Sequence, residues 1–85
     1  MTKKEKRLQS LFSNPKGMRF SDLDAILKDL GYEMRQSRKG SSHYVYSHPE
    51  VEKLVVLVSH GRNDILPRYQ VNDAIQSVRR LLEDL

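Results

Sequence analysis

The feature that most constrains the fold is the run KLVVLVS at residues 53–59, in which five apolar side chains follow one lysine without a break. β-branched residues favour strands, and an unbroken apolar run is typical of a strand covered on both faces. The run is far shorter than the roughly 18 residues needed to span a bilayer. The sequence therefore predicts a buried β-strand here and no membrane-spanning segment.

Three other segments have apolar residues at helical spacing. Residues 3–13 form the first, which ends at an Asn-Pro pair. The second runs from Ser21 as the N-cap to Gly31 as the stop, with acidic residues near its positive end. The third covers residues 70–84. The three apolar stripes are Leu8, Leu11 and Phe12; Leu23, Ile26, Leu27 and Leu30; and Val71, Ala74, Ile75, Val78, Leu81, Leu82 and Leu85.

Two further strands are expected between the second helix and the apolar run. Residues 32–37 and 43–47 alternate in the manner of strands, and RKGSS at 38–42 joins them as a hairpin turn. The predicted order is ααβββα, an α+β fold with a three-stranded antiparallel sheet and its helices on one face. This layout resembles the double-stranded-RNA-binding fold with one extra helix in front. If helices cover one face only, the N-terminal helix or a partner protein should cover part of the other.

Length and composition indicate one small soluble domain. The chain has 85 residues, 38% apolar and 31% charged, enough for a single core, with 1–19 as a basic helical extension and 20–85 as the core domain. With no cysteine, it can form neither a disulfide nor a cysteine zinc site, and thiol catalysis is excluded. The basic N-terminal stretch lacks the apolar segment of a secretory signal, so we expect a cytoplasmic protein.

The net charge of +4 is unevenly distributed along the chain. Residues 1–19 carry +5 and residues 32–47 carry +2, while the remainder is near neutral or acidic. Clustered positive charge fits a polyanionic partner, because neutralising phosphates releases counterions and steers encounter. A solvated surface that confers solubility explains the same charge equally well.

His43 stands where the basic turn meets the alternating residues YVYS. From these residues alone it is a catalytic group, an RNA contact or a polar residue at a strand start, and a lone loop histidine is most often structural. Because His43 and Val45 would share a face in a regular strand, we expect His43 in the turn just before pairing begins. Tyr44 and Tyr46 either stack on bases or pack in the core, and the core is favoured for Tyr46.

A wider pattern resembles a known family. The motif GSSHYVY, the HP at 48–49, and HG followed by LP, Tyr69 and Val71 are similar to a HicA-type toxin, the mRNA interferase of a toxin–antitoxin pair, over about residues 20–82. In the usual pattern, histidine directly follows Gly-Ser, whereas a second serine intervenes here. With the match anchored on SHYVY, His43 takes the catalytic position and Ser41 stands where glycine is usual.

The resemblance implies a type II toxin of the stress response that cleaves mRNA as a metal-independent endoribonuclease. It implies no cofactor, and it implies neutralisation by a HicB-type antitoxin. An imidazole, whose unperturbed pKa is about 6.5, is suited to take the proton from a ribose 2′-hydroxyl, so His43 is the expected general base. The expected substrate-binding residues are Arg38, Lys39, Gly40, Ser41, Ser42, His60 and Arg62.

The remaining polar residues receive other interpretations. His48 is expected to be a solvent-exposed turn residue, and Asp22, Asp24 and Asp29 are expected on the polar face of the second helix. No metal-binding motif is present, so no metal is expected. The alternatives to an endoribonuclease are a non-catalytic RNA-binding module of double-stranded-RNA-binding type and a protein-interaction domain with an acidic partner.

Overall fold

A computed structural model describes residues 3–36 and 42–83. Its elements are α1 (Lys3–Ser13), α2 (Phe20–Asp29), β1 (Glu33–Gln36), β2 (His43–His48), β3 (Val51–Val58) and α3 (Arg68–Glu83). The strands form one antiparallel sheet in the order β1-β2-β3. The predicted α+β class and ααβββα order are confirmed, and the likeness to the double-stranded-RNA-binding fold is a general one.

The central strand β2 fixes the two faces of the sheet. Tyr46 lies opposite Met34 on β1 and Val55 on β3, while Val45 lies opposite Arg35 and Val56. Residues opposite each other in an antiparallel pair share a face, and neighbours along a strand point to opposite faces. We call the helix-packed side the covered face and the other the open face. The covered face carries Tyr44, Tyr46, Val55 and Leu57, and the open face carries Arg35, His43, Val45, Leu54, Val56 and Val58.

The core lies between the covered face and the helices. Apolar side chains of α1, α2, α3 and the covered face form one buried cluster. Its members with no exposed surface are Leu11, Leu23, Leu27, Tyr46, Leu57, Val71, Ala74 and Val78. Gly31 ends α2 as predicted, with a positive φ of 95° that a residue with a side chain would adopt only with strain.

The prediction that β3 is covered on both faces is wrong. Leu54 is 52% exposed and Val56 43% exposed, while Val55 and Leu57 are buried. The open face stays uncovered because α1 packs against α2, where Arg7 forms a 2.9 Å ion pair with Asp29. Leu11 joins the core instead of covering the sheet.

Two helix details also differ from expectation. Ser21 is not the N-cap of α2, because the helix begins at Phe20 with Arg19 as its cap, and the Asp22 carboxylate accepts the Arg19 backbone N–H at 3.3 Å. Helix α3 begins two residues earlier than predicted, and Leu82 on its expected apolar stripe is 37% exposed. Leu85 lies outside the described residues. In the described part of the chain, no helix has the length and apolarity needed to cross a bilayer.

Candidate functional site

His43 is the first residue of β2 and lies on the exposed open face. Its Cα partner is Val58 on β3, so the prediction that His43 precedes the paired strand is wrong. Pairing continues past it because the Ser59 N–H donates to the Ser42 carbonyl at 2.9 Å. Contacts of Tyr44 and Ser42 with β3 and the residue after it therefore flank His43 in the chain, and they fix the position of its backbone at the end of the sheet.

The basic turn before this histidine is only partly described. Arg38, Lys39, Gly40 and Ser41 lie outside the described residues. Ser42 is described, and its half-buried position beside Ser59 ties the end of the turn to the end of β3.

His60 lies in the loop that leaves the end of β3. Its side chain is exposed, and its backbone N–H donates to the Asp64 carboxylate at 2.8 Å. The loop is fastened to the start of α2, where the N–H groups of Phe20 and Ser21 donate to the carbonyls of Asp64 and Arg62 at 2.8 and 2.9 Å. These bonds satisfy two N–H groups that a helix start leaves open, and they replace the predicted serine cap. His60 is thus close in the chain to the Ser42–Ser59 contact beside His43.

Arg62 lies against a buried carboxylate that sequence reasoning missed. Asp24 is 3% exposed, so its assignment to the polar face of α2 is wrong. Its Oδ1 accepts the Tyr46 hydroxyl at 2.7 Å, and its Oδ2 lies 3.1 Å from Lys28 Nζ and 3.6 Å from an Arg62 guanidinium nitrogen. Since Tyr46 belongs to the covered face, the contact draws Arg62 toward that side, whereas His43 is on the open face.

The Tyr46 hydroxyl is held in its protonated form. Burial raises its pKa above the ordinary value of 10, and the hydrogen bond from the hydroxyl to Asp24 and the charge of that carboxylate raise it further. The only sequence signal for this contact was an aspartate at helical spacing among apolar residues. The contact depends on strand β2, which is distant in the chain.

Tyr44 and His48, which lie on the covered face of β2, pack against other parts of the structure. Tyr44 packs on the Phe20 ring with centroids 4.8 Å apart. His48 is half-buried rather than solvent-exposed, because its ring lies 5.0 Å from that of Tyr32 and its Nε2 bonds to the Leu30 carbonyl at 3.1 Å. The Glu50 N–H donates to Nδ1 of the same ring, so Nε2 carries the proton. His48 thus packs on the covered face at one end of β2, and His43 lies at the other end of that strand.

Within residues 3–36 and 42–83, no three histidine, aspartate or glutamate side chains come together as a possible metal site.

Fold and site together define a small α+β domain with an exposed histidine at the start of its central strand. The family model described as HicA toxin of bacterial toxin-antitoxin systems matches residues 20–79. The matched segment is well over half of the chain, so the chain belongs to the HicA toxin family, whose members function with an antitoxin. Searches of curated proteins and of solved structures find no match.

Proposed function

We propose that this chain is the toxin of a type II pair and acts as a metal-independent endoribonuclease that cleaves mRNA, with His43 as general base. The observation that supports this most is the position of His43. It is exposed on the open face, its backbone is fixed by pairing with Val58, and it lies within the family-matched segment. A proton acceptor at such a position has access to an extended RNA strand.

The proposed reaction needs no group beyond the chain and RNA. Nε2 or Nδ1 of the neutral imidazole accepts the proton of a ribose 2′-hydroxyl, and the 2′-oxygen then attacks the adjacent phosphorus. The bond from phosphorus to the 5′-oxygen breaks, and that oxygen takes up a proton. The products are a 2′,3′-cyclic phosphate on one fragment and a 5′-hydroxyl on the other. A general base of this kind contributes about 10²- to 10⁴-fold to the rate.

Substrate binding is assigned to the turn and to the loop after β3. Cationic side chains stabilise the extra negative charge that the phosphate gains in the transition state, and backbone N–H groups in a glycine-containing turn add to such an anion site. His60 is proposed as a substrate contact and as a candidate acid for the leaving oxygen, because it directly follows Ser59, whose N–H bonds to the Ser42 carbonyl next to His43. The full set proposed is Arg38, Lys39, Gly40, Ser41, Ser42, His60 and Arg62.

The test compares three histidine variants in one RNA cleavage assay. His43→Ala is expected to remove cleavage by at least about 100-fold and to relieve growth arrest on expression. His60→Ala should reduce cleavage if His60 protonates the leaving oxygen, and His48→Asn serves as the matched control because its ring is packed away from the open face. The cleaved ends should be cyclic phosphate and 5′-hydroxyl, and EDTA should leave the rate unchanged.

Unchanged cleavage by His43→Ala would contradict the general-base assignment, and inhibition by EDTA would contradict metal independence. RNA binding that weakens steeply with salt but produces no cleavage would favour the non-catalytic RNA-binding alternative.

A HicB-type antitoxin is the proposed protein partner. It neutralises the toxin by denying RNA access to His43, for which the uncovered open face offers an apolar surface next to that histidine. The apolar part of this surface is formed by Leu54 and Val56, with Val45 between them and β1. Mixing toxin with the antitoxin should suppress cleavage in proportion to the complex formed.

A further inference from the structure

Strand β3 is an edge strand, and part of its backbone faces away from the sheet. Within residues 3–36 and 42–83, it pairs with β2 alone. The Ser59 N–H points toward β2, where it bonds to Ser42, whereas the Val58 N–H points away and donates to Gln70 Oε1 at 3.0 Å. Because these directions alternate along an antiparallel strand, the N–H and C=O groups of Val56 also point away from β2, and Leu54 follows in the stretch between Val55 and Val51 where the pairing register with β2 shifts.

The side chains at these two positions are apolar and exposed. Leu54 and Val56 lie on the open face with about half of each side chain in solvent. An exposed apolar edge strand pairs readily with another strand, and proteins usually protect such edges with charges, prolines or bulges. Residues 54–58 contain neither a charge nor a proline, and the register shift in the β2–β3 pairing lies between Val55 and Val51. The Gln70 side chain accepts the outward N–H of Val58, so the accessible part of the edge is the stretch from Leu54 to Val56.

A groove of about 450 Å³ runs between this edge and α3. It is bounded by a strand on one side and a helix on the other, which is the geometry of sites that bind an extended peptide by strand addition. Its lining residues are Val51, Lys53, Leu54, Val55, Asp73, Gln76, Ser77, Arg79, Arg80 and Glu83.

The charge of the groove favours an acidic occupant. Its lining carries three cations, Lys53, Arg79 and Arg80, against two carboxylates, and the whole chain has a net charge of +4. An extended segment with acidic side chains pointing toward α3 would pair with the arginines while its other side chains cover the open face next to Leu54 and Val56.

We propose that the β3 edge from Leu54 to Val56 binds an extended, acidic strand of the antitoxin, which adds to the sheet as a fourth strand. The proposal rests on the antitoxin partner named under the proposed function. The added strand lies roughly 10 Å from β2, two strand spacings away. It therefore anchors the partner beside the open face without itself covering His43.

The experiment uses the full chain and the purified protein encoded by the neighbouring reading frame as the antitoxin. Hydrogen–deuterium exchange of the complex should show slower exchange at the Leu54 and Val56 amides. Val56→Pro removes one outward N–H without removing a bond to β2, so the variant should fold and cleave RNA. It should bind the antitoxin roughly tenfold or more weakly and escape inhibition.

Met34→Pro is the matched control on the opposite edge. Met34 pairs with Tyr46, whose backbone groups face β3, so the Met34 N–H also points away from β2. Antitoxin affinity should be unchanged in this variant. Arg80→Glu is a second variant with an intact backbone, and it should weaken binding several-fold in low salt and less in high salt.

Three outcomes would overturn the proposal: equal loss of affinity in Val56→Pro and Met34→Pro, protection confined to other amides, or the same protection produced by RNA or by self-association without antitoxin. Cleavage by the chain alone is measured separately. Failure of that cleavage counts against the proposed nuclease function and leaves the exchange result to decide the edge-strand proposal.

Discussion

The two faces of the sheet are built from the same strands but differ in almost every physical respect. On the covered face, Tyr46 is fully buried and its hydroxyl bonds to a buried carboxylate, and His48 is fixed by two hydrogen bonds. On the open face, Leu54 and Val56 are about half exposed, and His43 lies in solvent. Stability is therefore concentrated on one side of a single-layer sheet, while the other side remains exposed to solvent.

The comparison also separates two similar residues on one strand by their surroundings. His43 and His48 are the two ends of β2, and they belong to opposite faces. The His48 ring is half-buried and packed against Tyr32, whereas the His43 side chain is exposed to solvent. The proposal that His43 is a general base therefore draws on its exposure as well as on the family motif.

The largest expected difference between the faces is in the free energy of unfolding that is lost when a leucine of β3 is replaced by alanine. Leu57→Ala should lower the free energy of unfolding by about 2–5 kcal/mol, because it leaves a cavity in the core. Leu54→Ala should change it by only about 0.5 kcal/mol, because Leu54 is already half exposed. Urea denaturation of both variants measures the difference. Equal losses would mean that the open face is covered in solution.

A smaller effect is expected from the Tyr46 hydroxyl. Tyr46→Phe should cost about 1–3 kcal/mol, because the buried Asp24 carboxylate loses a donor at 2.7 Å. Tyr32→Phe is the matched control. Its hydroxyl is bonded to the neutral Ser77 hydroxyl at 2.6 Å, so about 1 kcal/mol is expected. Urea denaturation at pH 7 provides both values, and a larger cost for Tyr32→Phe would contradict the importance given to Asp24.

The Tyr46→Phe variant should also change how the free energy of unfolding depends on pH. Because the folded-state pKa of Tyr46 is raised above 10, the folded protein keeps a proton that the unfolded chain releases above that pH. The stabilisation from this group is complete below pH 10 and is lost as the pH rises further, at about 1.4 kcal/mol per pH unit. Tyr46→Phe should therefore lose less stability than the wild type between pH 10 and 11.

The smallest expected effect concerns the two histidines of β2. His48→Ala should lower the free energy of unfolding by about 1 kcal/mol, because it removes the bond to the Leu30 carbonyl and the contact with the Tyr32 ring. His43→Ala should change it by about 0.5 kcal/mol or less, since its side chain is exposed. Thermal denaturation at pH 7 compares them, and marked destabilisation by His43→Ala would indicate a structural role.

Sequence periodicity predicts most of the helices and strands, but it does not predict which of their faces and ends are covered by other parts of the chain. The stripes of α2 and α3 and the hairpin were predictable because each is encoded by neighbouring residues. The run at 54–58 could not reveal whether one face or both were covered, because that depends on where α1 packs. In the same way, Ser21 is a poor guide to the helix start, since carbonyls from the distant loop at Arg62 and Asp64 bind the first N–H groups.

The candidate site was predictable to a similar extent. His43 was found through its motif, but its place inside the paired strand depends on Ser59, which contacts Ser42 only in the folded chain. Asp24 was missed because its burial depends on Tyr46 and Arg62, both remote in sequence. Contacts across long chain separations thus decide which polar residues become functional and which become structural.

The burial of Leu11 has a consequence for how this chain relates to its family. The family-matched segment begins at residue 20 and ends at residue 79, yet Leu11 and Leu81 both lie in the core, with 0% and 4% of their surfaces exposed. The family-matched segment and the buried core therefore have different boundaries. A chain cut back to residues 20–79 would lose both side chains and leave unfilled space at two places in the core.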